Sequence, residues 1–185
     1  MRYPEGHKEA VHEAIVRGAA KALREKGISG IGIPALMKAA GLTHGGFYSH
    51  FRDRDALVGE AIRAAAEETS QGVFAEAKSV TEMLAHYLSL GHVEHPEMGC
   101  VVAALAAESP RQSKAVRRVF GEVVRGLIAL VEKKLNPRPG RTPSEAALRL
   151  TATMVGAVVL ARSVDDAQLA DRILKAARHT PELRE

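Results

Sequence analysis

Residues 41–51, Gly-Leu-Thr-His-Gly-Gly-Phe-Tyr-Ser-His-Phe, place the tightest limits on what this chain can become. They read as a tight turn running straight into a short helix, with Thr43 as the capping hydroxyl. Two glycines open that helix, and each costs about 1 kcal/mol against alanine in a helix interior. A packing helix gains nothing from such a start. A helix tip whose backbone must come close to another molecule does. The rest of the chain supports a helical setting: alanine and leucine recur throughout, and alternating β-branched runs are scarce. An all-α fold follows.

The helices can be placed from apolar spacing and stop signals. Val11, Ile15, Ala19, Ala22 and Leu23 share one face of a first helix over 7–26, and Gly27 ends it after a lysine. Pro34 suits the first turn of a second helix over 34–40. A third runs over 44–50 from the Thr43 cap. Asp53 caps a longer helix that reaches about residue 77, with Gly72 tolerated or kinking it. Further helices are expected over 80–90, over 100–108, and from a Ser109-Pro110 start to about 135. Residues 92–99 read as a polar loop, and 136–141 as the clearest loop of the chain. Thr142 begins a capping box with Glu145, opening a strongly apolar helix to about 162. A last helix starts at Asp165 or Asp166. The total is about nine helices with no convincing strand. The first three form a compact unit over 1–52, followed by a larger helical unit over 53–185.

Helix, glycine-containing turn, helix over 34–50 is the helix-turn-helix arrangement, whose second helix enters the major groove of DNA by its N-terminal end. On this reading Thr43 offers a cap and a phosphate hydroxyl, and His44 is the long polar side chain at the tip. Gly45 and Gly46 keep the tip low. Tyr48 and His50 extend outward to phosphates, while Phe47 and Phe51 point inward. Arg54 sits where a guanidinium and a helix N-terminus can both meet the backbone of DNA. Charge agrees: residues 1–63 hold ten Lys/Arg against seven Asp/Glu, most of the formal net charge of +4.

Residues 36–51, Leu-Met-Lys-Ala-Ala-Gly-Leu-Thr-His-Gly-Gly-Phe-Tyr-Ser-His-Phe, followed by Arg54-Asp55-Ala56-Leu57, resemble the DNA-binding signature of the TetR/AcrR family of transcriptional regulators. The resemblance is strong over residues 10–60 and looser beyond. It departs at Gly32, where the family usually has Ser or Thr, and at Arg54, where it commonly has lysine. It implies an all-α homodimer with an N-terminal three-helix DNA-binding domain and a C-terminal domain that binds a small effector and dimerises. It also implies a repressor of a palindromic operator, released when effector binding shifts the helix that begins near residue 56. The apolar faces of the last two helices are then expected at the dimer seam.

Other constellations are weaker. Cys100, the chain's one cysteine, is a small buried hydrophobe or the thiol of a redox- or electrophile-sensing repressor. His86, His92, His95 and Cys100 match no standard zinc spacing, so no metal or other cofactor is expected. Arg111, Lys114, Arg117 and Arg118 form a basic helix face read as solvated surface. No nucleophile–base motif or Gly-rich phosphate loop supports an enzyme built on the Cys100/histidine region. A single cysteine and the absence of an apolar leader point to the cytoplasm, and the longest apolar run, 154–161, is far short of a membrane span.

Overall fold

The computed structural model describes residues 7–39, 44–136, 140 and 142–179, and among these every regular element is a helix. The α-helices are α1 (His7–Lys26), α2 (Ile33–Ala39), α3 (Arg54–Thr69), α4 (Val80–Tyr87), α5 (Leu90–Glu94), α6 (Val101–Leu105), α7 (Lys114–Leu135), α8 (Glu145–Ser163) and α9 (Ala167–Arg178).

α1 buries Ile15, Ala19, Ala22 and Leu23, the face expected from their spacing. It stops at Gly27, whose φ of +79° is the only positive value among the described residues and whose N–H bonds Leu23 O at 2.8 Å. Only glycine holds that conformation without a Cβ penalty. α1 packs on α2 and α3, while α3 packs on α1 and on α7. Leu57, Val58, Ala61, Ile62 and Ala65 therefore bury the length of α3 between the two units. Asp53 caps it as expected, accepting from Ala56 N–H. Past Thr69 the helix loosens into a π-turn, Ser70–Phe74, and Gly72 breaks it with φ −85° and ψ −106°.

Several boundaries differ from expectation for local reasons. The supposed loop over 92–99 takes in the end of α5, which Ser89 caps by accepting from His92 N–H, and a 3-10 turn, Pro96–Met98. The helix expected over 80–90 closes earlier, at Leu88. The helix expected from Ser109 to 135 is broken. Ser109–Arg111 is one 3-10 turn, and α7 begins afresh because the Ser113 hydroxyl accepts from Val116 N–H. At α8 the cap is Ser144, not Thr142: its hydroxyl accepts from Ala147 N–H, and it donates to Glu132 Oε2 at 2.6 Å. Its N–H bonds the same oxygen at 2.7 Å, and these two bonds hold the Glu132 carboxyl below the usual carboxylate range. The end of α7 is thus tied to the start of α8. Asp166 caps α9. The expected Thr43 cap and most of the 136–141 loop lie outside the described residues.

α8 lies against α7 and α9 and also touches α5 and α6. By length and composition it is the one described helix apolar enough to cross a membrane. Its inner face is buried core, and its outer face shows Leu148 at 46% and Leu160 at 58% exposure; Leu169 of α9 is also exposed.

Candidate DNA-reading unit and effector cavities

The second helix of the helix-turn-helix is a six-residue 3-10 segment, His44–Ser49, rather than an α-helix. Two glycines in the first turn weaken the α form. The Ser49 hydroxyl bonds Gly46 O at 2.6 Å, and Phe51 N–H returns to Phe47 O at 2.9 Å. Phe47 and Phe51 are buried as expected, their rings 5.7 Å apart, and Met37 and Leu36 of α2 are fully buried in the same core. Tyr48 projects outward at 68% exposure. Thr43 lies outside the described residues, and of His44 and Gly45 only the backbone is described. Gly46 is half-buried, with Met37 3.9 Å from where its Cβ would stand.

Two expected phosphate contacts are oriented otherwise. His50 is half-buried and turned toward α1, its ring 6.0 Å from that of His12, and its Nδ1 is buried without a partner. Burial, then His12 and Lys8, lower its pKa below the ordinary imidazole value. Arg54 is half-buried, and its Nη2 donates to the carbonyls of Ile28 and of Ile31, the latter at 2.9 Å. It braces the loop between α1 and α2, which holds α2 beneath the recognition segment. A guanidinium so placed fits the loop, whose carbonyls have no helical N–H to accept from.

Two cavities lie in the larger unit. One, about 340 Å³, opens between α3, α6 and α7 and is mainly apolar, with Ala66, Val102, Val123, Leu127 and Leu130 among its walls. The other, about 260 Å³, is bounded by the π-turn after α3, the end of α4 and residues 89–100, including Glu68, Tyr87, His92 and Gly99. Thr69 and Cys100 belong to both. Cys100 is 3% exposed.

His92 clamps this region. Cys100 N–H donates to its Nε2 at 2.9 Å, so Nε2 carries a lone pair, and Nδ1 must bear the proton donated to Tyr87 O at 2.6 Å. Burial and the nearby Arg162 guanidinium lower its pKa to about 4. Both nitrogens are committed, so His92 has no lone pair for a metal or for activating Cys100. No group of three or more potential ligands gathers elsewhere among the described residues. Gly99 is required by close approach: a Cβ there would stand 2.5 Å from the His92 ring and 3.0 Å from Arg162 Nη2.

The link back to α1 is a residue that sequence spacing does not single out. Arg24 is 3% exposed. Its Nε donates to Ala20 O at 3.1 Å, its Nη1 to Gly99 O at 3.0 Å and its Nη2 to Glu68 Oε2 at 2.6 Å. Glu108 makes a second link, accepting from Ser29 N–H at 2.9 Å. A cation in the last turns of α1 reads from sequence as a dipole partner and surface group. The Arg111, Lys114, Arg117 and Arg118 face is indeed exposed.

The arrangement defines a helix-turn-helix DNA-binding unit joined to a helical domain with two partly open clefts. Residues 15–61 match the family described as bacterial regulatory proteins, tetR family. Solved structures extend the likeness to the whole chain. A TetR transcriptional regulator from Chloroflexus aurantiacus is 26% identical, with TM-score 0.72 over 92% of this chain and 93% of its own. The reduced form of Escherichia coli NemR is 22% identical, with TM-score 0.71 over 91% and 93%. A TetR-family regulator from Cytophaga hutchinsonii is 18% identical, with TM-score 0.71 over 96% and 95%. No curated protein matches in sequence. Residues 15–61 thus carry the DNA-binding domain of the TetR family, and over more than nine-tenths of its length the chain has the fold of solved TetR-family regulators.

Proposed function

We propose that this chain is a cytoplasmic, ligand-responsive repressor that binds a palindromic operator as a homodimer and is released by a small-molecule effector. The observation that carries the reading is Arg24, whose bond to Gly99 O ties the DNA-binding unit to the wall of the smaller cleft. The boundary between the two functions falls at residues 52 and 53, where α3 begins. Thr43, His44, Gly45, Gly46 and Tyr48 meet the DNA, and His50 and Arg54 support them from the edges. The outward leucines of α8 and α9 form the seam between protomers, because an obligate interface is a core cut in half. With the seam closed, two recognition segments sit about 34–36 Å apart, one turn of DNA.

The test is salt-dependent binding to palindromes upstream of the chain's own and neighbouring genes, measured by fluorescence anisotropy alongside the mass of the complex. Binding to one of them as a dimer, with affinity falling steeply as salt rises, supports the reading. Indifference to all of them at low salt ends it, and Leu160→Glu should yield a monomer with weakened DNA binding.

A second reading keeps the DNA binding and replaces the ligand with chemistry at Cys100, which walls both cavities. One structural neighbour was solved in a form named as reduced. Titration of the native protein with a thiol reagent separates the two: modification without loss of DNA binding removes the thiol reading. An enzyme is not proposed, since His92 is unavailable as the base for Cys100.

A further inference from the structure

The smaller cavity is lined by a tyrosine whose hydroxyl lacks a good partner. Tyr87 is 1% exposed, and its hydroxyl has no oxygen or nitrogen to bond, only the neighbouring Cys100 thiol. Burial, and then the adjacent Cys100 thiol, raise its pKa well above the ordinary phenol value, so it stays a neutral donor at every working pH. The thiol beside it is a weak partner at best. Leaving such a hydroxyl unmet costs about 1–3 kcal/mol. Arg162 repeats the pattern close by. Its Nη2 donates to His92 O at 2.5 Å and its Nε to Val93 O at 3.4 Å, while Nη1 is buried without a partner. Tyr87, Cys100 and the acidic Glu97 all lie within the field of its charge. Glu68, the carboxylate in the cavity wall, is already paired with Arg24.

Across Thr69 and Cys100 the character reverses, and the larger cavity offers hydrocarbon walls. The Thr69 hydroxyl is turned back to Ala65 O at 3.0 Å. A glycine in each cavity leaves room: a Cβ at Gly126 or Gly72 would meet nothing within 4 Å.

We propose that the two cavities form one site for an amphiphilic carboxylate, with its hydrocarbon body against α6 and α7 and its head accepting from the Tyr87 hydroxyl beside Arg162. The molecule passes between Thr69 and Cys100, and a body of about ten carbons suits cavities of this size. The assignment rests on the effector-controlled reading above and specifies its ligand.

Calorimetry on the full chain without DNA tests it, with decanoate and decyltrimethylammonium as probes below their micelle concentrations. Decanoate should bind at least tenfold more tightly than the ammonium of equal chain length. Gly126→Leu, which fills the larger cavity, should weaken decanoate at least tenfold. Tyr87→Phe should weaken it several-fold while leaving the melting temperature unchanged or raised, since it removes an unmet hydroxyl. Equal affinity for the two probes, or decanoate affinity unchanged in Tyr87→Phe, overturns the assignment. Anisotropy with a duplex that the chain binds separates this from the broader reading. Decanoate that binds without releasing the duplex supports the site and counts against effector-controlled repression. Release by other molecules with no decanoate binding overturns the site alone.

Discussion

The imidazole of His92 should make the protein's stability fall measurably between pH 7.5 and pH 5. In the folded chain Nε2 accepts from Cys100 N–H, and Nδ1–H donates to Tyr87 O. A second proton on Nε2 would abolish the first bond and set a charge against Arg162 in a largely buried site. The folded pKa is accordingly lowered to about 4, whereas an unfolded chain returns it to about 6.5. The unfolded state therefore binds the proton first. The stabilisation is fully present above pH 6.5 and is lost as pH falls toward 4. At 1.36 kcal/mol per pKa unit, the loss between pH 7.5 and 5 is about 2 kcal/mol.

The assay is urea denaturation at fixed protein concentration across that range, on the wild type and on His92→Gln, because the proposed dimerisation would make the midpoint concentration-dependent. His50, whose pKa is also lowered, contributes to both proteins with the same sign, so the difference between the two curves isolates His92. The wild type should lose about 2 kcal/mol more than the variant on going to pH 5. Parallel curves would show that His92 is not held neutral, and the tautomer assigned to it would be wrong.

Gly27→Ala should cost about 2 kcal/mol in urea denaturation, combining a left-handed alanine with displacement of the Glu108 carboxylate, whose Oε1 would stand 2.1 Å from the new Cβ. Tyr48→Phe should leave stability unchanged and weaken every duplex by a similar factor of about 3–10, as loss of a phosphate contact does; a change confined to one sequence would place Tyr48 on a base instead. Arg24→Met should cost about 2–4 kcal/mol in denaturation, because Gly99 O loses its donor within the core. In DNA-binding assays the same variant should respond less to any effector, and an undiminished response would remove Arg24 from the coupling.

Helix positions and the inward faces were legible because they depend on local spacing. Ile15, Ala19, Leu23, Phe47 and Phe51 are buried as their intervals predict, and Asp53 and Gly27 act where local chemistry places them. Choice among neighbouring caps was less legible. Ser144 prevails over Thr142 because Glu132, on another helix, fixes its geometry. Long cations were the least legible. Arg162 reaches the carbonyls of His92 and Val93, and Arg178 reaches that of Leu88 with Nε at 3.0 Å. In sequence each is an ordinary basic residue near a helix end. Their roles depend on which irregular carbonyls the tertiary fold brings within reach, and no periodicity encodes that. The cavities escape sequence for the same reason, since α3, α6 and α7 each contribute only part of a wall.

Gly99 is where the separate features meet. Its carbonyl accepts from Arg24 of α1, its bare Cα permits the close approach of His92, and the N–H of the next residue is the one that His92 holds. A molecule entering the smaller cavity meets this segment directly. A tenfold to hundredfold change in DNA affinity needs only about 1.4–2.7 kcal/mol of coupling. That is comparable to one hydrogen bond to a charged donor, about 1.5–3 kcal/mol. Weakening the Arg24–Gly99 bond in one ligand state is therefore enough in energy. α3 offers the lever in geometry, since it packs on α1 at one side and α7 at the other, and Glu68 near its end shares Arg24. On the proposed reading, the glycines of the recognition segment would set how closely DNA can be approached, whereas Gly99 in the distant loop would set when.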